Sequence, residues 1–322
     1  MQKHELEMTT EGKNNILISI IIPLFNSEKY INDTIQSVIS QTYKNWELLI
    51  IDDCSTDNSK NIVRKILKID NRIQLIELNK NSKGPAIPRN IGVRKSSGEW
   101  VCFLDSDDTW DPNKLHVCHN YISLNVDFIY HDMRVVAEND YSVKQKILSS
   151  RQLKQPVLID LLINDNAIIN SSVFVRKELF MGIGGINESK KIVASEDYNT
   201  WLRIAKITDN FLYIPKVLGS YFVHSSSISN KDMYSSVIYA TKEFMTYITP
   251  RQRKKIKVQR VYVRARYKYL NNERGAAVKA LLFFCLNYGD ITIKIKSAYM
   301  LLSTAVLSII RKITRNKEVV FK

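Results

Sequence analysis

Residues 16–53 read ILISIIIPLFNSEKYINDTIQSVISQTYKNWELLIIDD, and this stretch decides the fold class. Residues 16–22 form a continuous apolar run rich in β-branched side chains, and residues 47–53 form a second run that ends in two aspartates. Between them, residues 28–41 carry apolar side chains at helical spacing, namely Ile31, Ile35, Val38 and Ile39. Strands that are apolar throughout are typical of a parallel sheet buried on both faces. The stretch therefore predicts a strand–helix–strand unit within such a sheet.

The same alternation of strands and helices continues to residue 131. We predict helices over 57–69 and 85–97, and strands over 73–78, 100–105 and 126–131. This order is typical of an α/β fold, here a Rossmann-like, mostly parallel sheet with helices on both faces.

Beyond residue 131 the alternation weakens. A polar stretch covers residues 134–156, and strand-like sequence follows at 168–175 and 211–223. We predict a helix over 195–207 and a helical pattern over 230–271 that is rich in Lys, Arg and Tyr.

The basic charge of the chain is concentrated at its C-terminal end. The chain has a formal net charge of +15, and residues 251–322 alone hold 18 Lys and Arg against three acidic residues. The first 250 residues are therefore neutral overall. A basic region of this kind attracts polyanions, either nucleic acid or an anionic membrane surface. The alternative is a solvated helical face with no partner.

Two other features predict a location. The four cysteines have no regular spacing, which favours a reducing compartment. The N-terminal residues 1–15 are polar and lack the apolar core of a signal peptide, and no stretch reaches the ~18 apolar residues that a membrane span requires. We therefore expect a cytoplasmic protein.

Carboxylates and other polar groups follow the predicted strands where each strand ends. These strand ends are Pro23–Asn26, Asp52–Asp53 and Asp105–Asp108. In open parallel sheets, ligands bind outside the carboxyl ends of the strands. A D-x-D spacing suits a divalent metal holding a diphosphate, with one carboxylate on the metal and the other on a sugar hydroxyl. Helix capping and turn formation remain the alternative for such Asp and Ser residues.

Eight segments in order carry a family resemblance. They are PLFNSE (23–28), SVISQTY (37–43), IDDCSTDNS (51–59), PRNIG (88–92), FLDSDD (103–108), SSVFVRKELFMGIGGIN (171–187) and SEDYNTWLRI (195–204), followed by SYFVHSSSIS (220–229). In this order and spacing the chain resembles the family 2 glycosyltransferases, which have a GT-A fold. The resemblance covers residues 16–229, which we interpret as the catalytic domain. Residues 1–15 are then a polar N-terminal segment, and residues 230–322 a helical, basic C-terminal region.

The resemblance implies roles for individual residues. Nucleotide-sugar binding would fall to Pro23, Leu24, Phe25, Glu28, Asp53, Asn81, Arg89, Asp105 and Ser106. Among these, Asp53 matches the aspartate that recognises uracil, and Asn81 and Arg89 match a pair that contacts uridine. Asp105 would contact the ribose or the sugar, and Asp107 would bind a divalent metal ion, Mn²⁺ or Mg²⁺. Asp197 matches the catalytic base, with its neighbour Glu196 as the second catalytic candidate.

The segment Tyr221-Phe222-Val223-His224 departs from the family pattern, which has an arginine where Phe222 stands. A phenyl ring cannot neutralise phosphate, so this role is lost or has moved, for example to Lys231. His224 keeps its place and is expected to complete the metal shell, since imidazole is acceptable to Mn²⁺. The alternative is a structural histidine.

The predicted helix at 195–207 gives a physical reason for the proposed base. Ser195 is expected to be its N-cap, which puts Glu196 and Asp197 in the first turn, where the helix dipole favours the ionised carboxylate. A base must be ionised before it can accept a proton. The alternative is that the two carboxylates only complement the helix dipole.

The resemblance thus implies an inverting enzyme that moves a sugar from a nucleotide donor, expected to be UDP-linked, to a saccharide hydroxyl. We expect a lipid-linked acceptor in cell-surface polysaccharide synthesis, a peripheral position on the inner face of the cell membrane, and no nucleic-acid partner. Apolar and basic residues alternate over 274–316, which is typical of a segment lying in an anionic membrane interface. Two alternatives remain: a catalytically impaired relative, and a non-catalytic protein that binds nucleic acid through the basic region.

Overall fold

The computed structural model describes residues 16–122, 125–137, 146–224, 232–271, 273 and 275–303. Within these residues, nine strands form one sheet. The strands are β1 (Ile18–Leu24), β2 (Trp46–Asp52), β3 (Ile73–Glu77), β4 (Trp100–Phe103), β5 (Thr109–Trp110), β6 (Phe128–Ala137), β7 (Lys146–Leu148), β8 (Phe174–Arg176) and β9 (Phe211–Val223). The helices are α1 (Ile31–Ile39), α2 (Ser59–Ile66), α3 (Ala86–Lys95), α4 (Lys114–His119), α5 (Val157–Asn164), α6 (Lys177–Gly182), α7 (Glu196–Ala205), α8 (Tyr234–Thr241), α9 (Pro250–Leu270) and α10 (Ala276–Tyr288).

The order of strands in the sheet is β3-β2-β1-β4-β8-β6-β9-β5, and β7 pairs with the outer part of β6. The first four strands are parallel, which confirms the predicted strand–helix–strand units. Their register aligns Leu24 with Asp52 and Ile21 with Phe103, so the carboxyl ends of β1, β2 and β4 meet at one edge. Beyond β4 the sheet is mixed, because β8 runs antiparallel to both β4 and β6 while β9 runs parallel to β6.

The parallel strands are buried on both faces, as predicted. Side chains such as Ile21, Leu49 and Phe103 enter one core cluster, and their chain neighbours such as Ile20 and Leu48 enter the other. This alternation follows from the period of two along a strand. Each face is covered by helices, so the α/β prediction is confirmed.

The second half of the chain differs in detail from the prediction. The stretch 168–175 begins with a turn of 3-10 helix at Asn170–Ser172 and becomes the strand β8 only at Phe174. Its polar residues turn toward the carboxylates after β4, where Ser171 hydrogen-bonds Asp108. The polar stretch 134–156 holds the end of β6 and the short strand β7. The side chains of β7 are exposed, and the strand is stabilised by its pairing with β6.

Helix α9 links the core beneath the sheet to the other C-terminal helices. This helix begins with a capping box between Thr249 and Gln252, and its early residue Ile256 belongs to the main core. Its later part packs with α10 and with a helical segment over 291–303 in a separate cluster of Ala265, Val278, Leu282 and Met300. No helix among the described residues is long and apolar enough to cross a bilayer. The predicted helical pattern over 230–271 is confirmed where it is described, while the boundary at residue 229 remains a prediction.

Candidate active site

A cleft of about 650 Å³ opens at the carboxyl ends of the parallel strands, a size typical of small-molecule sites. Ten of the predicted site residues line it, namely Pro23, Leu24, Phe25, Asp53, Asn81, Arg89, Asp105, Ser106, Asp107 and His224. The strand register explains this grouping, since β1, β2 and β4 end side by side. The cleft therefore brings together residues that are up to about 200 positions apart in sequence.

Asp53 lies at the end of β2 and is 4% exposed. Its carboxylate accepts hydrogen bonds from the Ser82 backbone N–H at 2.7 Å and from the Ser82 hydroxyl at 2.8 Å. The Asn81 side chain donates to the Asp53 carbonyl oxygen at 2.7 Å. These bonds fold the segment after β3 over the end of β2, and Lys83 adopts a left-handed backbone (φ +68°) on the wall of the cleft.

Arg89 is buried between two carboxylates from different parts of the chain. Its guanidinium donates to Asp105 at 2.5 Å and to Glu196 at 3.1 Å. Asp105 also accepts from the Asn170 side chain at 3.1 Å. One Glu196 carboxylate oxygen and the side-chain amide oxygen of Asn170 are buried with no hydrogen-bond partner in the structure. Arg89 thus joins the D-x-D segment after β4 to the first turn of α7.

Asp197 is the neighbour of Glu196 in that first turn, and its carboxylate accepts the Tyr198 backbone N–H at 2.7 Å. Burial and the adjacent charge of Glu196 raise the pKa of Asp197 to about 7. The expected dipole effect therefore does not keep this pKa low. The predicted N-cap position of Ser195 is confirmed, but its hydroxyl pairs with Ser236 at 2.9 Å and forms no capping hydrogen bond.

Asp107 and His224 form the candidate metal position. The His224 Nε2 lies 2.8 Å from an Asp107 carboxylate oxygen, and the Tyr30 ring stacks on the imidazole with centroids 5.0 Å apart. Burial and the nearby charge of Asp105 raise the pKa of Asp107. A cation bound there would oppose this shift by stabilising the ionised carboxylate. Within the described ranges, no group of three or more His, Cys, Asp and Glu side chains gathers around one point. The pair suits an ion that takes its other ligands from phosphate and water.

Asp108, the last residue of the acidic run, has a structural environment. It is fully buried and accepts from the Ser171 hydroxyl at 2.5 Å and from the Phe222 backbone N–H at 2.9 Å. Burial and the charges of Asp107 and Asp105 raise the pKa of this carboxyl well above its usual value. Asp108 therefore attaches the end of β9, which His224 follows directly, to the D-x-D segment.

The catalytic candidates Glu196 and Asp197 are not among the residues that line the cleft. Glu28 does not line it either. Its carboxylate accepts the Asn58 backbone N–H at 2.8 Å, while its own backbone N–H donates to Asp57 at 2.9 Å. These bonds place it at the start of α2. Its predicted donor contact stays a prediction. Lys231, the suggested replacement for the family arginine, lies outside the described residues, whereas the Phe222 ring packs on Tyr30 at 5.1 Å.

Three residues that the sequence did not single out also belong to the site: Tyr30, Lys83 and Asn170. Lys83 supplies a cation on the cleft wall. In the sequence, Lys83 could have been found from its place in a turn-forming segment of Asn, Ser and Gly that follows the third predicted strand. Asn170 gave no signal, because its contact with Asp105 depends on the 3-10 turn that interrupts the predicted strand.

Comparison with known proteins finds similar sequences among the glycosyltransferases. Residues 19–181 match the family pattern described as glycosyl transferase family 2. The Escherichia coli protein WfgD, named a UDP-Glc:alpha-D-GlcNAc-diphosphoundecaprenol beta-1,3-glucosyltransferase, is 33% identical over 225 residues, which cover 67% of this chain and 81% of that protein. TuaG from Bacillus subtilis strain 168, named a putative teichuronic acid biosynthesis glycosyltransferase, is 46% identical over 99 residues. This match covers 31% of this chain and 39% of TuaG.

A solved structure supports the fold. The mannosyltransferase PcManGT from Pyrobaculum calidifontis, determined in complex with GDP-Man and Mn²⁺, superposes with a TM-score of 0.60 at 17% identity. The match covers 92% of this chain and 81% of that one. At this identity the likeness shows a shared GT-A-like fold. The family pattern spans half of the sequence, and the chain belongs to the family 2 glycosyltransferases.

Proposed function

We propose that this glycosyltransferase moves a sugar from a UDP-sugar donor to a hydroxyl of a lipid-linked saccharide, with inversion at the anomeric carbon. The observation that carries the proposal is the grouping of Asp53, Asp105 and Asp107 around one cleft, joined through Arg89 to the helix that bears Asp197. The WfgD name supports the donor and acceptor classes, because it specifies UDP-glucose and a diphosphoundecaprenol-linked sugar.

The nucleotide would lie over the ends of β1 and β2. Asp53 faces the cleft with its carboxylate fixed by Ser82, so it is already oriented to accept the uracil ring N–H. Phe25 is 49% exposed at the end of β1 and offers an apolar surface to the base. A carboxylate held in place by its neighbours loses little conformational entropy on binding.

The diphosphate would lie beside Asp105 and Asp107. A divalent ion held there by Asp107 and His224 would neutralise the charge that develops on the departing nucleoside diphosphate. Lys83 adds a positive charge on the wall of the same cleft, which offers one route to replace the arginine that Phe222 displaces. Tyr30 stacks on the imidazole and so fixes the orientation of His224.

Asp197 is our proposed base. Glu196 is held by the Arg89 guanidinium, which leaves its neighbour as the carboxylate better placed to accept a proton. With its pKa raised to about 7, Asp197 is a stronger base than an ordinary carboxylate and is still partly ionised at neutral pH. The acceptor oxygen bonds to the anomeric carbon as the bond to the diphosphate oxygen breaks, and the hydroxyl proton passes to Asp197. A single displacement of this kind inverts the anomeric centre.

The acceptor class also determines the proposed location. A saccharide on an undecaprenol-type carrier is held at a membrane, so we propose a peripheral enzyme on the inner face of the cell membrane. The basic charge of residues 251–322 supports this position, because it favours contact with anionic lipid.

A panel of nucleotide sugars tests the proposal. A donor that binds raises the unfolding temperature by mass action, so we expect stabilisation by UDP-sugars that is larger with Mn²⁺ than without it. Transfer to a lipid-linked saccharide by the same protein separates an active enzyme from an impaired relative. Stabilisation by no nucleotide sugar, together with steeply salt-dependent binding to DNA or RNA, would contradict the proposal and favour a nucleic-acid-binding protein.

A further inference from the structure

The helical segment 291–303 exposes a narrow apolar stripe. Its members are Ile291, Ile295, Tyr299 and Leu302, whose exposed fractions are 71%, 62%, 69% and 68%. Because successive residues of a helix turn by about 100°, these four positions fall within about 80° of arc. The stripe is therefore a single continuous face, whereas isolated exposed apolar residues are ordinary on protein surfaces.

The opposite side of the same segment is packed against the protein. Ser297 is fully buried, and Met300 belongs to the cluster formed with Ala265 of α9 and with Val278 and Leu282 of α10. The Tyr269 hydroxyl also lies 2.6 Å from the Ser303 hydroxyl. The internal packing thus fixes which way the helix faces, and the apolar stripe is held outward.

Two lysines border the stripe. At about 100° per residue, Lys294 lies on one side of its centre and Lys296 on the other, each about 100° away. A lysine in this position can lay its aliphatic stem along an apolar surface and keep its ammonium group among polar headgroups. An apolar face bordered by cations is the pattern of helices that lie in the plane of a membrane interface.

We propose that this face, defined by Ile291, Ile295, Tyr299 and Leu302, docks the enzyme on an anionic lipid surface. Charge decides between a bilayer and a second copy of the chain. Residues 251–322 carry a net charge of +15, so two copies brought together through this region would repel each other, whereas anionic headgroups would attract it. The segment lies along the surface with its four apolar side chains among the upper acyl chains.

The proposal rests on the proposed function in one respect. Docking brings the enzyme to its acceptor because a lipid-linked saccharide is presented at such a surface. The docking itself requires only the stripe and the charges. Both parts can therefore be measured separately on the same protein.

The test compares two double variants of the full chain. Ile291→Ser with Ile295→Ser removes half of the stripe, and Ile69→Ser with Ile207→Ser is the control, because those isoleucines are 85% and 61% exposed elsewhere on the surface. Each protein is sedimented with vesicles of phosphatidylcholine and with vesicles that also contain phosphatidylglycerol. We expect the wild type and the control to bind the anionic vesicles. The stripe variant should lose at least tenfold in partition coefficient, with an unchanged unfolding temperature and unchanged UDP affinity.

Three results would overturn the docking proposal. The stripe variant and the control could partition equally. The stripe variant could instead convert a dimer into a monomer, which would make this face a contact between copies. A lower unfolding temperature with unchanged vesicle binding would mean that the stripe is covered within the chain itself. In each of these cases, unchanged UDP affinity in all variants would leave the proposed function standing. If the wild type did not bind UDP, that result would contradict the proposed function and not the docking.

Discussion

The cleft at the sheet edge and the C-terminal helices use charge in opposite ways. At the cleft, ionisable groups are buried and connected, as in the chain from Asp105 through Arg89 to Glu196. In the C-terminal helices most of the lysines and arginines are exposed, and the cluster beneath them is a small apolar one. The difference follows from solvation, since a buried charge needs a partner and an exposed charge does not.

This contrast predicts how each region responds to substitution. Removing one group from a buried network costs more stability than the interactions of that group alone, because the charged partners left behind are uncompensated. Exposed charges near an anionic surface contribute nearly independently, by about 1 kcal/mol each. Single substitutions should therefore have large, coupled effects at the cleft and small, additive effects in the C-terminal helices.

Arg89→Met should have the largest effect, because it leaves Asp105 and Glu196 facing each other without a cation. We expect a loss of about 3–5 kcal/mol in the free energy of unfolding by urea, together with loss of transfer. The control is Arg94→Met in the same helix, where the side chain is exposed. Equal unfolding midpoints for the two variants would show that Arg89 does not hold the network together.

Asp107→Ala should abolish the part of donor binding that depends on Mn²⁺. The physical reason is that it removes one of two protein groups positioned for the ion. The measurement is the extra rise in unfolding temperature that Mn²⁺ gives in the presence of UDP. Asp111→Ala serves as the control, since Asp111 pairs with Arg134 outside the cleft lining. A full Mn²⁺ effect in Asp107→Ala would place the metal elsewhere.

Asp53→Ala should weaken UDP binding at least tenfold by calorimetry. A buried hydrogen bond to a charged group is worth about 1.5–3 kcal/mol, and the carboxylate also orders the segment around Ser82. Asp52→Ala is the matched control, because Asp52 is equally buried at the end of the same strand and binds Ser55 away from the cleft. Equal UDP affinity in the two variants would remove Asp53 from the nucleotide site.

Lys296→Gln should have the smallest effect. Removing one cation from the border of the apolar stripe is expected to lower partitioning onto anionic vesicles about fivefold, which corresponds to about 1 kcal/mol. Lys68→Gln, an exposed lysine at the end of α2, should leave partitioning unchanged. A complete loss of binding in Lys296→Gln would mean that these charges act as a coupled network, against the contrast drawn above.

The parallel half of the sheet and the cleft were predictable from the sequence. Continuous apolar runs specify strands buried on both faces, and strand ends in such a sheet meet at one edge, so the sequence alone is enough to group Asp53 with Asp105. The contacts of these residues were not predictable. Whether Arg89 binds a ligand or two carboxylates depends on where α7 packs, which is a tertiary property.

Local signals also gave partial answers. Ser195 has the residue type and position of a helix cap, yet its hydroxyl binds Ser236 because α8 lies beside it. The helix dipole predicts an ionised Asp197, whereas burial and Glu196 raise its pKa instead. In both cases a short-range preference was outweighed by a neighbour that is distant in sequence or by desolvation.

Asp197→Asn tests the central claim most directly, because it keeps the size of the side chain but cannot accept a proton. Transfer rate and UDP-sugar affinity should be measured on the same preparation. A positioned base contributes about 10²–10⁴-fold to the rate, so we expect transfer to fall by at least about 100-fold while donor affinity stays within twofold of the wild type. Retention of more than a few per cent of the wild-type rate would contradict the assignment of Asp197 as the base, and Glu196 would then be the first residue to examine.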